Sequence, residues 1–183
     1  MYKSTSYIVV LPAFWFTFIF CVLITFNAKS EPPKVKTPAP VIFLADNLNE
    51  PENLGWCIDT KGRGFSEVLH AHSCKPHGGE GQFLFDQGSG QIKSIAFANK
   101  CATISSLAPS GTFGLYNCNV ESASQIFKFN SQNGEFHPQD NTDLCITVGE
   151  TSKSAGPFMS RKLYLARCDK TIGKFKKWVI KRK

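Results

Sequence analysis

Residues 57–85 read CIDTKGRGFSEVLHAHSCKPHGGEGQFLF, and residues 101–129 read CATISSLAPSGTFGLYNCNVESASQIFKF. Laid over one another, the two stretches agree in both cysteines and in the pair of phenylalanines that closes each. The offset is 44 residues for Cys57, Cys101 and Cys145, for Cys74 and Cys118, for Phe83 and Phe127, for Phe85 and Phe129, and for Gly90 and Gly134. A constant interval of this size marks a repeat architecture, in which one unit cannot bury a core alone. A third copy starts at Cys145. It carries about six extra residues before Cys168, placed in a loop Glu150–Gly156, and it ends on Trp178 and Ile180 in place of the paired Phe.

Each copy reads as strands. Val68–His72 aligns with Thr112–Tyr116 and Lys162–Ala166, with Leu69, Phe113 and Leu163 at one position and Ala71, Leu115 and Leu165 two further on. That period of two is the pattern of a half-buried strand. A second alternation follows in Phe83-x-Phe85, Phe127-x-Phe129 and Trp178-x-Ile180, and Gly78-Gly79, Gly88-Ser89-Gly90 and Asn133-Gly134 supply turns. Three all-β copies that share one core form a β-trefoil of three repeats. Phe83, Phe127 and Trp178 are expected to meet near its pseudo-threefold axis. Cysteine count alone leaves 15 pairings. The repeat selects one pair per copy, Cys57–Cys74, Cys101–Cys118 and Cys145–Cys168, at separations of 17, 17 and 23 residues.

Outside the repeats, Tyr7 to Phe26 is an almost unbroken apolar run behind Lys3, long enough to span a bilayer. Ala28-Lys29-Ser30 places small residues as a cleavage site requires. Residues 1–30 are therefore a hydrophobic leader, either a cleaved signal peptide or a membrane anchor. Lys29, Lys34 and Lys36 argue mildly against an anchor with its N-terminus inside. Residues 31–40 hold four prolines and three charges and read as an extended linker. The domain is expected over 41–183, with its repeats starting near Gly55. Cys21 lies in the apolar run, and six cysteines in the remainder suit an exported domain, secreted or membrane-anchored and extracytoplasmic. The net charge of +7 falls to +5 without the leader and favours anionic partners.

With Cys57-Ile58-Asp59-Thr60, Cys74, Gly81-Gln82-Phe83 and Gly90-Gln91-Ile92 in place, and with Gln125-Ile126-Phe127 in the second copy, the sequence resembles the ricin B-chain type of β-trefoil lectin. The first copy is closest to the lectin domain of polypeptide N-acetylgalactosaminyltransferases. The resemblance covers about residues 54 to 182 and implies a shallow sugar site in each copy, for galactose- or N-acetylgalactosamine-like glycans. In the first copy it implies that Asp59 accepts bonds from two sugar hydroxyls, that His72 stacks on the ring, and that Lys75 and Glu80 add polar contacts. Glu80 and Gly81 stand where the family has Asn and Gln. In the second copy Thr103 replaces the Asp, while Tyr116, Asn119 and Gln125 remain. The third has Thr147 and Ala166 at the Asp and stacking positions and reads as structural, with Lys176-Lys177-Trp178 in place of Q-x-W.

Other constellations carry less. His70, His72, Cys74 and His77 would suit zinc, but Cys74 already has a partner in the repeat, so no metal and no cofactor are expected. Lys170 to Lys183 carries seven basic residues around Phe175 and Trp178, a candidate surface for anionic cell-surface polymers. Export argues against nucleic acid. No G-x-S-x-G, H-E-x-x-H or phosphate loop appears, so a non-enzymatic carbohydrate-binding module is expected. The alternative is a binding or delivery subunit of a toxin-like or other multi-protein complex, with a protein partner. Loss of the Asp in two copies motivates it.

Overall fold

The computed structural model describes residues 31–183, so the leader over residues 1–30 lies outside the described residues. Twelve strands follow one another: β1 (Val41–Leu44), β2 (Trp56–Thr60), β3 (Leu69–Ser73), β4 (Phe83–Asp86), β5 (Gln91–Ser94), β6 (Lys100–Ile104), β7 (Phe113–Asn117), β8 (Phe127–Asn130), β9 (Glu135–Pro138), β10 (Leu144–Ala155), β11 (Phe158–Arg167) and β12 (Trp178–Lys181). Four strands fall to each 44-residue copy. The middle two of each copy pair as a hairpin: β2–β3, β6–β7 and β10–β11. The outer strands join neighbouring copies through β4–β5, β8–β9 and β12–β1. This threefold plan is the β-trefoil. Between the strands stand only single-turn 3-10 helices, among them Gly79–Gly81, Ala123–Gln125 and Gly173–Phe175.

The period-two positions point inward as a half-buried strand requires. Leu69, Phe113 and Leu163 are buried, and so are Ala71, Leu115 and Leu165, all in one hydrophobic cluster. Phe83, Phe127 and Trp178 are buried in the same cluster. Phe127 stacks on Phe113 with ring centres 6.1 Å apart, and other rings join them in the core. Phe136 packs edge-on to Phe85 at 5.0 Å between centroids and against Phe129 at 4.6 Å. Phe85 and Phe129 are the second members of the Phe-x-Phe alternation, and Phe136 lies outside it. Gly90 and Gly134 hold φ of +71° and +75° at equivalent turns into β5 and β9. A Cβ at Gly90 would stand 3.0 Å from the Phe127 carbonyl oxygen, and one at Gly134 3.1 Å from that of Trp178. Glycine meets both the backbone angle and the close approach.

Disulfides join Cys57 to Cys74, Cys101 to Cys118 and Cys145 to Cys168, one in each copy. Residues 31–40 carry no strand, but they are not a free tether. The Lys34 N–H donates to Asn53 O and the Lys36 N–H to Cys74 O, while Thr37 Oγ1 donates to Lys75 O. Backbone polar groups left beside a buried surface need partners, and the first copy supplies them. The insertion in the third copy also departs from expectation. Most of it is strand, not loop: β10 and β11 run on past a bulge after Val148 and pair again from Ser152↔Arg161 to Ala155↔Phe158.

Candidate carbohydrate site

The long third hairpin matters because of where it lands. Its second strand pairs with the first copy, Ser160↔His72 and Arg161↔Ala71. Arg161 anchors the contact. Its guanidinium lies 4.5 Å from the centre of the Trp56 ring. It donates to the carbonyls of Gly149 and Glu150 on its own hairpin and to that of Leu48 in the first copy. Burial holds its pKa below the ordinary value. With the hairpin in place, the three hairpins enclose an open groove of about 1540 Å³.

Four of the residues singled out from sequence line this groove together: His72, Lys75, Glu80 and Tyr116. Asp59 lies beneath it, only 2 % exposed. Its Oδ1 accepts the Thr60 N–H, and its Oδ2 is 3.2 Å from Lys75 Nζ, which also sits 3.2 Å from Glu80 Oε1. An open acceptor for two hydroxyls is thus not what the geometry offers; Lys75 already occupies the carboxylate. The cause is visible in the slot next to it. In the second copy Gln125 fills that slot, donating to Thr103 Oγ1 and Asn117 O and accepting from the Asn119 N–H. In the third, Lys176 fills it, 2.8 Å from Glu135 Oε1 and donating to Cys168 O. In the first copy the residue is Gly81, whose absent Cβ would stand 3.7 Å from Asp59 Cγ. The Asp59 carboxylate and Lys75 meet beside this emptied slot.

His72 occupies the expected stacking position but is 6 % exposed. Phe158, from the start of the third hairpin's second strand, packs against it at 5.8 Å between ring centres. Tyr116 is the opposite case, 46 % exposed. Its ring lies over Gly114, where a Cβ would come within 2.4 Å of Cε2. Only glycine lets the phenol lie down as an open flat face. Asn119 is exposed and outside the groove, with Oδ1 accepting the Glu121 N–H. Sequence reading missed Phe158 and Arg161. The insertion was the available signal, but its direction is set by pairing between copies.

Burial raises the Asp59 pKa, and the charges of Lys75 and His72 offset that only in part. Glu80 is held below its usual value; burial opposes this, while its own backbone N–H and Lys75 outweigh burial. His70 is brought down to about 4, first by burial and then by the charge of His72. Its Nε2 is buried without a hydrogen-bond partner. A base with a depressed folded pKa stays neutral in the fold while the unfolded chain takes up a proton. His70 therefore costs stability as pH falls from its ordinary 6.5 to about 4. Replacing it by Gln is expected to flatten the fall in melting temperature across that window relative to the parent. Parallel melting curves at several pH values check this; Asp59, which titrates with the opposite sign, is common to both proteins and drops out of the difference.

The histidines read for zinc do not form a donor set with Cys74, whose sulfur is bonded to Cys57. Glu135 and His137 do gather beside Cys145 and Cys168, with donor atoms within 4.8 Å of one another, but these two sulfurs are also bonded to each other. A disulfide sulfur is not the thiolate a metal takes.

The family model of the ricin-type β-trefoil lectin domain matches residues 47–182. None of the curated proteins matches the chain in sequence. Among solved structures, an agglutinin from Abrus precatorius superposes with a TM-score of 0.56 at 16 % identity, over 80 % of this chain and 48 % of that one. A non-toxic homologue of type II RIPs from Momordica charantia (bitter gourd), in complex with α-methyl-D-galactoside, gives 0.53 at 15 % identity, over 76 % and 46 %. A structure of GalNAc-T7 with UDP, GalNAc and Mn2+ gives 0.50 at 16 % identity, over 69 % and 20 %. The chain spans half or less of the length of these structures, and at such identities the likeness is one of fold.

Proposed function

The chain belongs to the ricin-type β-trefoil lectin family, and from that premise we propose that it is a non-catalytic carbohydrate-binding module acting outside the cytosol. The observation that carries the reading is the meeting of an open aromatic face, Tyr116, with His72, Lys75 and Glu80 in one groove. A sugar presents hydroxyls around a C–H face, so it needs a flat apolar surface beside fixed donors and acceptors. Tyr116 provides the first, and Lys75 and Glu80 the second, with Asp59 positioning Lys75 from below. Galactose or N-acetylgalactosamine-like glycans are the proposed ligand class, and export by way of residues 1–30 is the proposed route.

Tyr116→Ala is expected to lower affinity for any glycan bound on an array by about tenfold or more. Its melting temperature should stay close to the parent's, since an exposed side chain contributes within about 0.5 kcal/mol. Full retention of binding by this variant, or no glycan bound by the parent, would sink the reading. A second reading, a module for protein contacts within a larger complex, is favoured by the enclosure of the Asp59 carboxylate. Co-purification of a stoichiometric partner by a chain that binds no glycan would decide for it.

A further inference from the structure

The groove's rims differ chemically from its floor. On one side, the turn between β2 and β3 carries Lys61 and Arg63, with Gly62 and Gly64 at φ of +98° and +75°. On the other, the long third hairpin carries Lys153 and Lys162. All four cations are exposed. Among the described residues none has a carboxylate within ion-pair distance, and Lys162 has only the Tyr164 ring, 5.1 Å away. Lys93 is paired with Asp86, Lys176 with Glu135 and Arg167 with Asp169, whereas the C-terminal Lys181, Arg182 and Lys183 are likewise without a paired acid among the described residues. The rims are distinguished by gathering four such cations around one concavity. The acids of the groove do not balance the rims. Glu80 is taken by Lys75, which leaves the exposed Glu67.

We propose that the groove receives an acidic oligosaccharide, one bearing sulfate or carboxylate groups, laid across both rims instead of seated within a single repeat. This rests on the carbohydrate-binding reading above and adds its ligand chemistry. Unpaired like charges around one concavity repel each other, and the concave low-dielectric wall focuses their field. A neutral sugar would leave that repulsion in place, whereas an anionic chain relieves it. The size agrees: about 1540 Å³ exceeds the roughly 300–1,000 Å³ of a small-ligand pocket, so several sugar rings fit. Tyr116 on the floor takes the C–H face of one ring, and the rims take the acidic substituents of its neighbours. The arrangement needs two copies for the floor and the third copy's insertion for the second rim, so it exists only in the assembled trefoil.

The test uses the full chain with a chondroitin sulfate hexasaccharide and its desulfated counterpart, by calorimetry at low and high salt. The sulfated form is expected to bind about tenfold tighter at low salt, and the advantage should shrink near 1 M salt, where screening acts within about 3 Å. Lys61→Ser with Arg63→Ser should remove most of that advantage, and so should Lys153→Ser with Lys162→Ser, each with the parent's melting temperature. These side chains are exposed, and of the four only Lys162 has a contact described above, with the Tyr164 ring. Equal binding of both saccharides, with the rim variants unchanged, overturns the acidic-ligand inference and leaves the carbohydrate reading standing. No binding of either overturns both. Preference for phosphatidylserine vesicles or single-stranded DNA over the sulfated saccharide overturns the assignment. So does a loss of affinity on neutralising Lys181, Arg182 and Lys183 instead of the rims.

Discussion

Lys75→Met is expected to destabilise the protein by about 3–5 kcal/mol, because removing one partner of a buried ion pair leaves the other uncompensated. Glu80, the half-buried second acid on Lys75, is a small part of the story. Asp59 is nearly sealed; Lys75 Nζ is the nearest cation at 3.2 Å, with His72 Nδ1 further off at 3.8 Å. Methionine retains the aliphatic stem that lies along Gly78, where a Cβ would meet Lys75 Cγ and Cε at 2.9 Å. The loss is therefore one of charge and not of packing. Its pH dependence has a definite sign. The folded pKa of Asp59 already lies above the ordinary 3.8, and without Lys75 it rises further. An acid with a raised folded pKa destabilises the fold above that pKa and ceases to do so as pH falls towards its unfolded value. The variant should thus be weakest at neutral pH and approach the parent near pH 4. Adding Asp59→Asn removes the stranded charge and should restore most of the loss. Denaturant melts of the single and double variants at two pH values check this. A loss below about 1 kcal/mol, or no recovery in the double variant, would show that water reaches the carboxylate.

The second large effect belongs to Arg161. Its guanidinium serves three carbonyls on two copies and covers the Trp56 ring. Arg161→Met leaves those acceptors without their donor, at about 1–3 kcal/mol for one that stays buried, and the carbonyl of Leu48 is the buried one. Arg161→Lys should recover little, since a point-charge ammonium cannot reach three acceptors in a planar fork. Because this residue ties the third hairpin to the first copy, glycan affinity should fall in the variant even well below its melting temperature. The two readouts are a denaturant melt and glycan calorimetry. A destabilised variant with undiminished affinity would show that the hairpin wall takes no part in binding.

Much of this molecule is readable from its spacing. Cys57 to Cys101 to Cys145, with the Leu69–Ala71 alternation and its copies, implies an all-β trefoil, three disulfides and one shared core, because repeats of this kind must close on one another. The site is less legible for a physical reason. A sequence shows that Asp59 and His72 stand at the positions of a sugar site; it does not show which way each points or what covers it. Gly81 in place of a Gln empties a slot, and the Asp59 carboxylate and Lys75 meet beside it. The six-residue insertion was read as a loop because its extended pairing depends on a partner strand in another copy. Tyr116 was readable as an aromatic at the stacking position. That it stays open follows from Gly114 beneath it, a close approach that appears only in three dimensions.

The pairing of β1 with β12, from Val41↔Lys181 to Leu44↔Trp178, sets an order of events for a newly made chain. The first strand of the domain meets β2 at one pair, Phe43↔Cys57, but its full-length partner only when the last strand emerges. Until then the ring has an open seam along β1. Long-range pairings of this kind are formed late and slowly. Until its last strand is in place the domain is therefore an unsealed ring, and its closure comes after the residues that line the groove.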